Sequence, residues 1–213
     1  MITLQRISNQ DMKAAKTLSN ASSNLPALFK RLQLSLKSVP RASKGLNQHI
    51  DLVSSEIDRI SNANQPVPNF EIEEITKNFF IEQNKLPDYA FMQLTAPDSE
   101  STFVSDKVRF GLSYQGPNLT YLGHYHKAKE LYIVLDTNNC EWWQDSSPKW
   151  KERNYSFHEQ DENHAMSTNT YNNINLGMNV GTLFFWSWTG DLTLDVKYSY
   201  EDVQKELSKE NQA

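Results

Sequence analysis

Apolar positions in the first 85 residues recur every three or four places, the period of an amphipathic helix. Leu25, Leu28, Phe29, Leu32 and Leu36 form one stripe, and Pro40 stops it. Leu46, Ile50, Val53, Ile57 and Ile60 form a second, with Asp51, Ser54, Glu56 and Asp58 between them. Ser8-Asn9-Gln10-Asp11 offers capping side chains for a short first helix continuing through Leu18. Gln65-Pro66-Val67-Pro68-Asn69 breaks the pattern, and Phe70 to Gln83 reads as one more helix with an acidic first turn.

After Pro87 the rhythm becomes that of short strands. Tyr89–Leu94, Phe103–Tyr114, Leu119–His126, Leu131–Asp136, Cys140–Gln144, Asn154–Phe157, Ala165–Ser167 and Thr182–Thr189 are the candidates. Most are rich in aromatic or β-branched residues, with Gly, Pro, Asn, Asp and Ser between them. Many short strands at this pitch predict a sandwich, a jelly roll or a small barrel. The chain therefore reads as mainly β with a helical N-terminal extension. The expected division is a helical segment over 1–85, a β-barrel over 86–205 and a tail over 206–213.

Composition narrows the class. The net charge is −5 over 213 residues, so no basic surface argues for nucleic acid or an anionic membrane. Met1-Ile2-Thr3-Leu4-Gln5-Arg6 lacks the basic start and apolar core of a signal peptide, and no run approaches a membrane span. A soluble, cytoplasmic protein is expected. Cys140 is the single cysteine, which excludes an internal disulfide and disfavours a thiolate metal site. No basic neighbour would activate its thiol.

The chemistry concentrates in Gly123-His124-Tyr125-His126-Lys127-Ala128-Lys129-Glu130-Leu131-Tyr132 and in a later His164. Imidazole and carboxylate together suit one borderline divalent ion: Zn²⁺, Fe²⁺, Mn²⁺, Co²⁺ or Ni²⁺. A straight strand would put Glu130 roughly 20 Å from His124, and a continuous helix would point His124 and His126 about 200° apart. The spacing instead predicts His124 and His126 on one face at a strand end. A tight turn through Lys127-Ala128-Lys129 follows, then a strand with Glu130 and Tyr132 sharing a face. By alternation Tyr121 and Tyr125 point away from the histidines, although a bulge at Gly123 would reset the phase of Tyr121.

Other polar residues are weighed against their structural roles. Tyr132 is either a packing residue or, beside a cation that lowers its phenol, a ligand or general base. His158, in His158-Glu159-Gln160-Asp161-Glu162, reads as surface or as a support to the ligands rather than a ligand. His49 lies beside an apolar helix face and carries no expected catalytic role. Phe184, Trp186 and Trp188 share one face of a strand, as core aromatics or as a wall for a cationic group. Basic residues near these motifs reduce to Lys127 and Lys129; a turn lysine is usually solvated, though either could meet a carboxylate.

The string His124-x-His126-x3-Glu130-x-Tyr132, then His164-Ala165-Met166, then Trp186-x-Trp188-x-Gly190-Asp191, resembles the cupin-type dimethylsulfoniopropionate (DMSP) lyases, including longer members with a helical N-terminal segment. The resemblance implies a cupin double-stranded β-helix, a jelly-roll barrel. It further implies His124, His126, Glu130 and His164 as metal ligands and Tyr132 as the base. DMSP would be the substrate, and dimethyl sulfide and acrylate the products. Tyr121, Tyr125, Trp186 and Trp188 would be the aromatic residues around the substrate sulfonium. The general cupin pattern has a Gly seven residues after the glutamate and a Pro-x-Gly in its second motif; this chain has neither. The helical segment would cover the barrel or form a homodimer contact. Competing readings are another cupin metalloenzyme, a dioxygenase or isomerase, and a non-catalytic small-molecule-binding cupin.

Overall fold

The structure, a computed structural model, describes residues 9–63, 89–97, 101–117, 119–136, 140–168 and 181–198. The expected helix over Phe70–Gln83, the breaker before it and the tail over 206–213 lie outside these residues. Three helices come first: α1 (Asn9–Ser22), α2 (Leu25–Ser38) and α3 (Lys44–Ser61). Asn24 accepts the Ala27 amide at 3.1 Å to cap α2, and Ser43 accepts the Leu46 amide at 3.2 Å to cap α3. Val39 is extended because Pro40 follows it, which ends α2 where expected. The first helix runs one turn beyond Leu18, to Ser22.

The strands are β1 (Tyr89–Ala96), β2 (Phe103–Val104), β3 (Val108–Gln115), β4 (Thr120–Tyr125), β5 (Ala128–Val134), β6 (Glu141–Gln144), β7 (Ser147–Glu152), β8 (Tyr155–His158), β9 (His164–Ser167), β10 (Thr182–Gly190) and β11 (Lys197–Tyr198). One sheet runs β2-β1-β3-β10-β5-β8 and the other β11-β4-β9-β6-β7. From β3 to β10 the chain passes between the two sheets as a jelly roll does, with antiparallel ladders throughout. This is the double-stranded β-helix.

Two apolar clusters explain why β10 is buried along almost its whole length. On its outer face Leu183 and Phe185 join Phe110, Leu112, Leu131 and Ile133, and the helices cover them with Leu28, Leu32, Ile50, Val53 and Ile57. On its inner face Phe184, Trp186 and Trp188 meet Tyr132, Trp142 and Met166 inside the barrel. The helices thus roof one sheet of the barrel, and the site lies on that sheet's other side.

Strands β7 and β11 are absent from the sequence reading, and one expected strand is two. Ser147–Glu152 is a strand, β7, at the edge of its sheet, exposed except for the half-buried Ser147 and Trp150. Val108–Gln115 is separate from Phe103–Val104, because Ser105-Asp106-Lys107 bends between them.

Candidate metal centre

A bulge builds the first part of the centre. β4 pairs Tyr121 with Met166 and His124 with His164, so three steps along β4 match two along β9. The extra residue falls at Leu122-Gly123 and shifts the phase of the strand. Tyr121 and His124 consequently share the inner face, their rings 4.7 Å apart and edge-on. Tyr125 keeps the regular alternation: it lies between two inward histidines and pairs with Lys197.

The crossing to the other sheet is shorter than expected. Ala128 and Lys129 already belong to β5, paired with Gly190 and Thr189 of β10, so only His126-Lys127 turns. Ladder bonds to β10 form as soon as the chain reaches that sheet. The Asp161 amide pins the turn by donating to the His126 carbonyl at 2.9 Å. Glu130 then stands opposite Trp188 on one side and His158 on the other. His164 begins β9, opposite both His124 and Gln144.

His124, His126, Glu130 and His164 are all buried, each offering a ligand atom, and these atoms lie within 4.8 Å of one another. His126 Nε2 is 2.9 Å and His164 Nε2 3.0 Å from the same oxygen, Oε2 of Glu130. Two ligands on one ion at bond lengths near 2.1 Å and a right angle stand about 3 Å apart. The other ring nitrogens are fixed as well. Nδ1 of His126 is 3.1 Å from the Ala128 carbonyl, and Nδ1 of His164 is 2.8 Å from the Glu162 carbonyl. A carbonyl only accepts, so each Nδ1 carries the hydrogen and a neutral ring turns its Nε2 lone pair toward Glu130. Two ring nitrogens facing one carboxylate oxygen are reconciled either by a proton on a ring or by a cation among them. The donor set fits a divalent ion.

Without an ion, the cluster favours a proton in its place. Burial opposes charge on His126, but the Glu130 carboxylate and hydrogen bonds to Glu130 and Ala128 outweigh it and raise its pKa. Burial likewise opposes the Glu130 carboxylate, yet the charge and hydrogen bond of His126 outweigh it and hold the carboxylate well below the usual range. Tyr132 is pushed well above the ordinary phenol range, first by burial and then by the Glu130 charge, with Tyr89 and Tyr121 adding to it.

Trp188 is tied to the cluster rather than facing an open wall. Its indole N–H donates to Glu130 Oε1 at 2.7 Å, and its ring lies 4.3 Å from that of His126. Trp186 lies deeper in the barrel, against Phe91 and Trp188, and its indole nitrogen has no partner among the described residues.

Of the two roles expected for His158, surface or support to the ligands, its burial excludes the first. His158 is fully buried, its ring stacked on His164 at 3.8 Å and 14°. Burial, and next the neighbouring His164, lower its pKa. The acidic residues after it read as a loop, but alternation along β8 turns Ser156 and His158 inward. Arg109 was not read from the sequence at all. It is buried, faces the barrel interior by its register with Trp188, and bonds to Gln93. Its signal was available: Arg109, Gly111, Ser113 and Gln115 alternate with Phe110, Leu112 and Tyr114.

The remaining candidates sit apart from the cluster. Lys129 pairs with Glu159 at 2.7 Å and Lys127 is exposed. Cys140 is buried, which pushes its thiol far up. His49 bridges Ser187 and Thr189 on the outer face of β10, at 2.9 Å to each hydroxyl.

Comparison with known proteins agrees with the motif reading. A family model described as dimethylsulfoniopropionate lyase matches residues 15–173. Similar solved structures include the DMSP lyase DddQ from Ruegeria pomeroyi DSS-3, at 17% identity and TM-score 0.46, covering 80% of this chain and 77% of that one. A structure described under the DMSP lyases RdDddP and RnDddQII is 20% identical with TM-score 0.45, covering 88% and 99% of the two chains. The polyketide cyclase RemF from Streptomyces resistomycificus is 15% identical with TM-score 0.41, covering 55% and 76%. No curated protein sequence matches.

Proposed function

The chain belongs to the dimethylsulfoniopropionate lyase family, and from that premise we propose that it is a metal-dependent lyase releasing dimethyl sulfide and acrylate from DMSP. The observation that carries this reading is the buried His124-His126-Glu130-His164 cluster with the Tyr132 phenol beside Glu130. His124, His126, Glu130 and His164 would hold one divalent transition ion; the three-imidazole, one-carboxylate set suits Fe²⁺, Zn²⁺, Mn²⁺, Co²⁺ or Ni²⁺. When bound, that ion supplies positive charge that lowers the Tyr132 phenol and offsets charge growing on the substrate carboxylate.

Tyr132, ionised to the phenolate once the ion lowers it, would take the proton on the carbon next to the carboxylate and become the phenol. The freed electron pair forms the carbon–carbon double bond, and the bond to sulfur breaks with its pair going to sulfur, which neutralises the sulfonium. Tyr121 and Trp186 would offer π-faces to that sulfonium, a contact worth about 2 kcal/mol or more once desolvated, while Trp188 is committed to Glu130 and His126. The enclosing aromatic interior keeps water from the developing charge. Incubating metal-loaded protein with DMSP and following headspace dimethyl sulfide by gas chromatography is the direct test. Absence of product with each of the five metals would sink the reading.

A further inference from the structure

His158 ends β8 with a fully buried ring, and its Nδ1 has no hydrogen-bond partner among the described residues. A chain of side chains accounts for its other nitrogen. Gln144 directs its amide hydrogens at Ser146 Oγ (2.8 Å) and Glu162 Oε1 (3.1 Å), so its carbonyl oxygen faces Ser156. The Ser156 hydroxyl donates to that oxygen at 3.3 Å, which leaves the Ser156 oxygen as acceptor for His158 Nε2–H at 2.8 Å. A neutral imidazole carries one N–H, so Nδ1 keeps a lone pair in the ring plane. That lone pair is 3.9 Å from Glu130 Oε2, the oxygen that faces His126 and His164.

Acceptor opposite acceptor at this separation calls for a hydrogen donor between them. Direct ligation is unavailable. The His158 and His164 rings are 3.8 Å apart and 14° from parallel. An ion held by His164 Nε2 would therefore lie off the plane of the His158 ring, out of reach of its Nδ1 lone pair. A small molecule beside the ion can span that gap.

The geometry points to His158 Nδ1 as the hydrogen-bond acceptor for a water on the ion beside Glu130 Oε2, with Gln144 and Ser156 fixing the tautomer that makes it an acceptor. His158 is thus a positioning residue, and the inference rests on the metal-centre reading. Substrate entering the site would displace a water held by a specific side chain rather than a loose one.

The test uses Mn²⁺-loaded full-length protein, with the exchange of bound water followed by ¹⁷O nuclear magnetic relaxation. His158→Phe keeps an aromatic ring against His164 but removes the acceptor; Ser156→Ala keeps His158 but frees its tautomer. Loss of one hydrogen bond of about 1 kcal/mol corresponds to exchange about fivefold faster in His158→Phe. A smaller acceleration is expected in Ser156→Ala, with Mn²⁺ content unchanged in both. Mn²⁺-loaded variants that exchange water at the wild-type rate overturn this inference and leave the metal centre standing. Wild-type protein that takes up no Mn²⁺ overturns the metal centre, and this inference with it.

Discussion

Trp188 donates its indole N–H to Oε1 of Glu130 at 2.7 Å, while Oε2 of the same carboxylate faces His126 and His164. One neighbour on β10 therefore holds the carboxylate so that its second oxygen points into the cluster. Trp188→Phe keeps a ring against His126 and deletes only the donor. The expected result is a 10- to 100-fold weaker metal affinity, roughly the usual cost of losing a ligand's supporting hydrogen bond. Competition with a chromophoric chelator measures it; unchanged affinity would show that the bond does not orient Glu130.

Tyr132→Phe removes the proposed base and keeps the ring among Trp142 and Phe184. Dimethyl sulfide release is expected to fall by roughly 10²- to 10⁴-fold. Metal content by plasma mass spectrometry should stay at the wild-type level. Full activity in this variant would refute the assignment.

Metal uptake should release protons. Without an ion, His126 has a raised pKa, and a proton there must leave before the ion can bind. Affinity is expected to fall as pH drops through that raised value, approaching about tenfold per pH unit for one displaced proton. Calorimetric titration in buffers of different ionisation enthalpy counts the protons, and a count of zero below neutrality would contradict this account.

His49 makes a separate contribution to acid sensitivity. Burial above all lowers its pKa to about 3 from the ordinary 6.5. Between those values the unfolded chain binds a proton that the folded chain does not. Stability is then lost as pH falls, by about 1.4 kcal/mol per pH unit, and the effect vanishes above the ordinary value. Urea unfolding of the wild type and His49→Gln across that range should show a shallower acid slope in the variant.

Gly111 lies where β1 and β10 crowd β3. A Cβ there would collide with the Met92 carbonyl and stand 2.9 Å from Trp186 Cζ2. Gly111→Ala should destabilise by about 1–3 kcal/mol or more, because backbone cannot step aside as a side chain can. A melting temperature equal to that of the wild type would show that β1 relaxes freely.

The helical stripes and most strands were legible because each is buried on a definite face, so period reports environment. Leu25, Leu28, Phe29, Leu32 and Leu36 are all buried on α2, as their spacing required. The strand β7 was hidden because Ser147-Pro148-Lys149-Trp150-Lys151-Glu152 faces solvent, where nothing enforces alternation. The juxtaposition of His124, His126 and Glu130 followed from residue type and spacing, and the place of His164 beside them from the family resemblance. What escaped was cross-strand: the Trp188–Glu130 bond and the stacking of His158 on His164 depend on which strands become neighbours. A run such as His158-Glu159-Gln160-Asp161-Glu162 shows its charge locally but not the inward turn of its first residue.

The donors come from both walls of the barrel: His124 and His164 from one sheet, Glu130 from the other. An ion held among them would rivet the two sheets together, and unfolding would have to release it. The fold's melting temperature would then become a gauge of free metal in the surroundings, rising by the equivalent of about 2.7 kcal/mol at a hundred times the dissociation constant. Below that supply, catalysis and durability would decline together.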